Sequence, residues 1–321
     1  MNFISSYNEY CDILFKRDDC ADHLATTALN SKNNNLYMPS WLLANNLGFF
    51  LLTPSPWPFY SAFAVFYLLI GFAAYLNYNL NGLILFLVSF IFVILAFFFW
   101  FSDLIYELLF LRRTSILIEN NVRSGFALFI VSEVLLFFSF FWTFFHSAIE
   151  PSVQLGAIWP PIESITMNTL LIPIWNTVFL VVSGIALTWA QYGIIGGSLF
   201  ETYEGFLIVG AYATWFLVSQ WIEYDFAYHN VNDSVFGSTL YMITLFHGLH
   251  VLIGGIFLLV CVFRFILGHF TSVSYLSLTL AAWYWHFVDA VWIFVVAFIY
   301  IWPIYNYYVM FFLEVTHHYW L

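Results

Sequence analysis

No charged residue occurs between Asn33 and Ser102, and the rest of the chain repeats this habit of long apolar runs broken by short polar ones. A helix that crosses a bilayer needs about 20 mostly apolar residues, because the hydrocarbon is roughly 30 Å thick and every backbone polar group must be satisfied within the segment. The first uncharged stretch is punctuated by Pro54-Ser55-Pro56-Trp57-Pro58 and by the Asn-rich patch Asn77–Asn81. That punctuation predicts two spans near 59–77 and 83–110. Five more are expected near 116–148, 170–195, 200–225, 234–266 and 276–302, separated by Pro/Glu, Gly-Gly, Asp/His/Asn and Gly/His/Ser punctuation. The third and sixth runs are long enough to require tilt or extension beyond the bilayer. The segment Trp41–Leu52 is too short to span and reads either as an interfacial helix or as a subunit contact. No internal repeat and no pair of broken helices of the transporter kind is evident.

The expected fold is therefore an all-α integral membrane protein of seven transmembrane helices. Its organisation reads as an N-terminal extension over 1–53, a seven-helix domain over 54–302 and a C-terminal tail over 303–321. The seven Lys and Arg residues test this count, because basic residues concentrate on the cytoplasmic or matrix side of short loops. Lys16, Arg17 and Lys32 precede the first span, Arg112, Arg113 and Arg123 flank the turn after the second, and Arg264 closes the sixth. Seven spans put all of them on one face, with the N-terminus inside. The opposite loops carry Glu150, Glu163, Asp225 and Asp233 but no basic residue.

Composition adds exclusions. Charged residues make up 8% of the chain, against about 25% in soluble domains, so a water-soluble fold is ruled out. The formal net charge of −11 identifies no basic ligand, since five of the acids lie together at Glu9, Asp12, Asp18, Asp19 and Asp22. Cys11, Cys20 and Cys261 match no disulfide, zinc or iron–sulfur spacing. The acidic N-terminus is unlike a signal or transit peptide, and nothing in it looks removable.

Ionisable residues at membrane depth are costly and so are functional candidates. Glu133 lies about halfway along the third span, His247 and His250 halfway along the sixth on one face, and His286 and Asp289 near the middle of the seventh. These residues share a depth and are expected to be able to meet. Glu133 reads either as a protonatable group in proton traffic or as a neutral acid bonding adjacent helices. A second layer lies at the basic face: Trp100, Asp103, Glu107, Arg113, Arg123, Arg264 and His269. Carboxylates beside guanidinium groups there read either as a phospholipid headgroup site or as an interfacial ion-pair network. At the opposite face, His146 and Glu223 form a candidate polar pair, with simple interfacial capping as the alternative. His-x-x-His on one helix is a weak metal signal, and no Glu-x-x-His accompanies it. No metal, haem or other redox centre is expected in this chain.

The runs Pro54–Pro58, Phe129–Phe138, Phe141–Ser147, Trp159-Pro160-Pro161, Thr188–Ala190, Gly237–Thr239, Phe246-His-Gly-Leu-His-Val251 and Trp283-Tyr-Trp-His-Phe-Val-Asp-Ala-Val-Trp292 resemble cytochrome c oxidase subunit III, in family order. The resemblance implies a non-redox subunit that packs on the haem- and copper-bearing subunit I. It also implies phospholipids (phosphatidylethanolamine, phosphatidylglycerol or cardiolipin) in a cleft between the first two helices, splayed away, and the last five. By the same likeness Glu133 is the family's buried, carbodiimide-reactive carboxylate, in a subunit that supports proton uptake, and Glu107 and Arg264 are headgroup contacts. Departures exist: Ser102 and Tyr106 stand where relatives carry basic residues, Arg112 and Arg113 replace histidines, and Gln191 also replaces a histidine. The implied location is the mitochondrial inner membrane, N-terminus in the matrix and C-terminus toward the intermembrane space. The expected function is that of a core subunit of the proton-translocating oxidase, with lineage-specific subunits meeting the tails. An autonomous seven-helix ion transporter and a membrane haem protein stand as the rivals.

Overall fold

A computed structural model describes residues 55–110, 116–153, 156–161, 170–227, 230–272 and 274–305. Seven helices in it are long and apolar enough to cross a membrane. They are α1 (Trp57–Leu76), α2 (Leu80–Phe110), α3 (Ile116–Ile149), α4 (Leu171–Gly196), α5 (Leu199–Phe226), α6 (Val235–Ile266) and α7 (Leu276–Val295). A π-helical segment, Val296–Ile301, continues α7, and helix resumes through Tyr305. No strand occurs among the described residues. The tails at 1–53 and 306–321, the Trp41–Leu52 segment and Arg113 lie outside those residues. The helical backbone includes Glu107, but its side chain lies outside them too.

Helix ends follow local chemistry. Prolines at the start of α1 need no amide partner where the first turn has none to offer. The Asn77 side-chain amide donates to the Ala73 carbonyl at 2.8 Å and helps close its C-terminus. Gly197, at φ 73°, ends α4 in the left-handed conformation, which glycine adopts without a Cβ clash. Ser234 caps α6 by accepting the Gly237 amide at 3.2 Å.

The chain forms two compact units, residues up to Phe98 and residues from Phe99 on. In the first, α1 and α2 make a hairpin with very close backbones. A Cβ added to Gly71 would lie 2.6 Å from the Phe86 nitrogen, so only hydrogen fits between them.

In the second unit α7 packs on α3, α4 and α6, and α5 packs on α4 and α6. The core is aromatic: Trp285, Trp292, Phe144 and Phe216 are fully buried. Three hydrogen bonds lace α4 to α7 in antiparallel register. Trp292 Nε1 donates to Thr177 Oγ1 (3.1 Å), Trp285 Nε1 to Ser183 Oγ (2.9 Å) and Gln191 Nε2 to Thr279 Oγ1 (3.4 Å). Each satisfies a buried N–H or N–H₂ group that neither lipid nor an apolar core can satisfy. The α4–α5 contact instead depends on small residues. A Cβ on Gly205 would sit 2.7 Å from the Ala190 Cβ and 2.8 Å from the Ala186 carbonyl oxygen.

Candidate functional site

The mid-depth residues separate into two clusters. In the first, the Glu133 carboxylate of α3 and the His250 ring of α6 meet at 2.9 Å through Oε2 and Nε2. Both side chains are mostly covered, at 20% and 10% exposure. The other ring nitrogen, Nδ1, lies 2.6 Å from the Phe246 carbonyl oxygen one turn earlier. A carbonyl only accepts, so Nδ1 carries a hydrogen in every state that keeps this bond. Nε2 therefore faces Glu133 either bare, accepting from a protonated carboxyl, or protonated, donating to a carboxylate. Both arrangements contain the same number of protons. Phe137 packs its edge on the His250 ring at 5.0 Å and helps close the pair off.

His247 lies one turn before His250 and is wholly buried. Phe216 and Trp292 surround it at 5.6 and 5.0 Å between centroids. Neither of its ring nitrogens has a hydrogen-bond partner among the described residues.

The second cluster joins α7 to α4. The Thr188 hydroxyl donates to the Gly184 carbonyl at 3.0 Å, leaving its oxygen to accept from His286 Nε2 at 3.3 Å. His286 Nδ1 then faces Asp289 Oδ2 at 3.7 Å. Among the described residues no hydrogen bond or ion pair connects this cluster with Glu133 and His250.

At the basic face, Arg264 Nη1 donates to Ser277 Oγ at 2.5 Å, and the guanidinium carbon stands 5.0 Å from the Phe270 ring centroid. Arg264 Nε and His269 Nδ1 are buried and have no hydrogen-bond partner among the described residues. Burial first, and the Arg264 charge second, hold His269 below its ordinary value of 6.5. Arg123 pairs with Glu119, one turn earlier, at 3.7 Å. Trp100 is half-buried and Asp103 exposed near the C-terminal end of α2. An anionic oxygen such as a phosphate's can accept there from an Arg264 N–H, and from His269 Nδ1 only in the form in which that nitrogen carries the hydrogen.

At the opposite face Glu223 accepts from Gln220 Nε2 at 3.1 Å, whereas His146 is exposed on α3. No hydrogen bond or ion pair among the described residues links the two. Sequence reading missed the polar network behind Glu223: Asn176 Nδ2 donates to Gln220 Oε1 at 3.4 Å, and Ser219 donates to Asn176 Oδ1. The signal available was Asn176 itself, an amide within an apolar run, which burial obliges to find partners. Among the described residues no three His, Cys, Asp or Glu side chains converge as a metal ion requires.

Residues 47–304 match the family described as cytochrome c oxidase subunit III. Cytochrome c oxidase subunit 3 of Pelomedusa subrufa is 38% identical over 254 residues, covering 79% of this chain and 97% of the relative. The Pylaiella littoralis protein of the same name is 40% identical over 255 residues, with 79% and 93% covered. That of Chondrus crispus is 38% identical over 254 residues, with 79% and 93% covered.

Proposed function

This chain belongs to the cytochrome c oxidase subunit III family, and from that premise we propose that it steadies the catalytic subunit I, holds phospholipid headgroups and supports proton uptake. In this reading the haem and copper, and the reduction of oxygen to water, belong to partner subunits. The chain sits in the mitochondrial inner membrane with its N-terminus in the matrix and its C-terminus toward the intermembrane space.

The Glu133–His250 pair carries the proton part of this reading. With Nδ1 anchored on the Phe246 carbonyl, proton exchange occurs only on the Nε2 side of the ring. The pair shares one proton between an acid and an imidazole, and it acts as a store by gaining or losing a proton on that Nε2 side. It is not a wire, because conduction through the ring would require breaking the Nδ1 bond.

The lipid part is supported by Arg264 and His269, which lie at the C-terminal end of α6 on the basic face and keep a nitrogen each without a hydrogen-bond partner among the described residues. A phosphate there would satisfy groups that the protein leaves unsatisfied.

Replacing Glu133 with Gln keeps the volume and removes the exchangeable acid. In the intact oxidase the E133Q variant should take up protons more slowly or inactivate after fewer turnovers, measured by stopped-flow pH change and by turnover until half-loss of activity. Unchanged uptake together with unchanged lifetime would sink the proton role and leave the stabilising role standing.

A further inference from the structure

The side chains behind Glu223 form a chain whose hydrogens all run one way. Glu223 is partly exposed one turn before the end of α5, while Asn176 on α4 and Gln220 on α5 are buried. Ser219 donates to Asn176 Oδ1, Asn176 Nδ2 to Gln220 Oε1 at 3.4 Å, and Gln220 Nε2 to Glu223 Oε2 at 3.1 Å. Every donor points toward Glu223, as a carboxylate, which only accepts, requires. The titratable groups facing it are Tyr224 on its own helix, Tyr241 on α6 and Tyr300 in the π-helical segment; Asp233, in the α5–α6 loop, faces Tyr241. No Lys, Arg or His pairs with Glu223 among the described residues. The amide chain thus takes the place of a counter-ion.

Ser219 has a second acceptor within reach. Its hydroxyl oxygen lies 2.9 Å from the Phe216 carbonyl oxygen, and its single hydrogen can be given to either acceptor. A protonated Glu223 has a hydrogen to donate, and turning both amides over lets the chain receive it. Glu223 then donates to Gln220 Oε1, Gln220 Nε2 to Asn176 Oδ1, Asn176 Nδ2 to Ser219 Oγ, and Ser219 to the Phe216 carbonyl. An amide turned over keeps its shape, so the packed core stays closed. Neither direction leaves an amide oxygen or the Ser219 hydroxyl without a partner. One proton enters, at Glu223, and everything else is rotation. We infer that Glu223 is a second proton-binding site, remote from Glu133, and that a proton bound there reverses the Ser219–Asn176–Gln220 chain, so that α4 registers the charge of an acid on α5.

The test is infrared difference spectroscopy of the intact oxidase between about pH 6 and about pH 9, with asparagine isotope-labelled at its side-chain carbonyl. Subtracting the Glu223→Gln spectra from those of the wild type isolates what Glu223 does. A protonated-carboxyl band should grow toward acid pH, and the labelled asparagine band should shift with the same midpoint. Both signals should be lost in E223Q. Should E223Q fail to assemble, Glu223→Asp takes its place: it keeps an acid but withdraws it from Gln220, so the carboxyl band remains and the asparagine shift disappears. A carboxyl band as strong in E223Q as in the wild type would show that Glu223 binds no proton. An asparagine band that stays still while the carboxyl band grows would show that the chain does not reverse, and a shift that persists in E223D would assign it to another acid. Each of these three results overturns the inference.

Discussion

His250 Nδ1 is anchored on the Phe246 carbonyl, which leaves Nε2 as the ring atom that faces Glu133. Depth along the helices was legible in the sequence, and it placed Glu133, His250, His286 and Asp289 in one layer. Their partners were not legible, because four residues on three helices at one depth allow several pairings and only the rotation of each helix chooses among them. Rotation is hidden when every face is apolar, since lipid and core attract the same side chains. The role of Gly184 was hidden for a related reason: a Cβ on it would stand 2.5 Å from Asp289 Oδ2, and a recess is visible only once the carboxyl that fills it is placed. Outside the spans, His269 allows a prediction with a definite sign. Its folded form is held below 6.5 by burial and by Arg264, so between the folded and unfolded values the folded state binds fewer protons. The stability it contributes is complete above the unfolded value and is lost as the pH falls through the folded one. The dissociation temperature of the subunit in purified oxidase should therefore drop between about pH 7.5 and about pH 5.5, with a smaller drop in H269N.

Among the elements, the spans were the most legible part of the molecule. The expected 116–148, 170–195 and 234–266 became Ile116–Ile149, Leu171–Gly196 and Val235–Ile266. Charged residues, prolines and Gly-Gly pairs end these helices where water begins, so composition alone marks the boundary. The contacts between helices were less legible, because they depend on the absence of a side chain at particular positions. Gly205 and Gly210 lie on the same helix, yet a Cβ on the first would strike Ala190 and Ala186, whereas a Cβ on the second meets nothing within 4 Å. Gly205→Ala should therefore destabilise the α4–α5 contact by about 1–3 kcal/mol. Gly210→Ala should be neutral or slightly stabilising, since alanine favours the helix. Thermal dissociation of the two variants from the assembled oxidase distinguishes these outcomes. Overpacking that leaves G205A indistinguishable from G210A would contradict the close approach.

For the whole molecule, seven crossings place the α6–α7 loop and the α5–α6 loop on opposite faces of the membrane. Arg264 precedes the first loop and Asp233 lies in the second, so the charge asymmetry and the helix count agree on which loops share a side. If the basic face lies in the matrix, as proposed, a membrane-impermeant maleimide added to mitochondria stripped of their outer membrane should label Asn230→Cys. It should label Ser272→Cys only after the inner membrane is opened. The reverse pattern would invert the orientation while keeping the count. The π-helical segment Val296–Ile301 bears on how the last crossing fits its neighbours. One extra residue per turn rotates the C-terminal end of the helix by about 100° from the azimuth of an unbroken one. Before the segment, Trp285 and Trp292 are keyed to Ser183 and Thr177; beyond it, Trp302 meets Phe144 and Phe145 at 6.2 and 5.5 Å. The segment thus works as an expansion joint: it re-phases one continuous rod so that aromatic side chains on both sides of it, Phe287 before and Trp302 after, still meet α3.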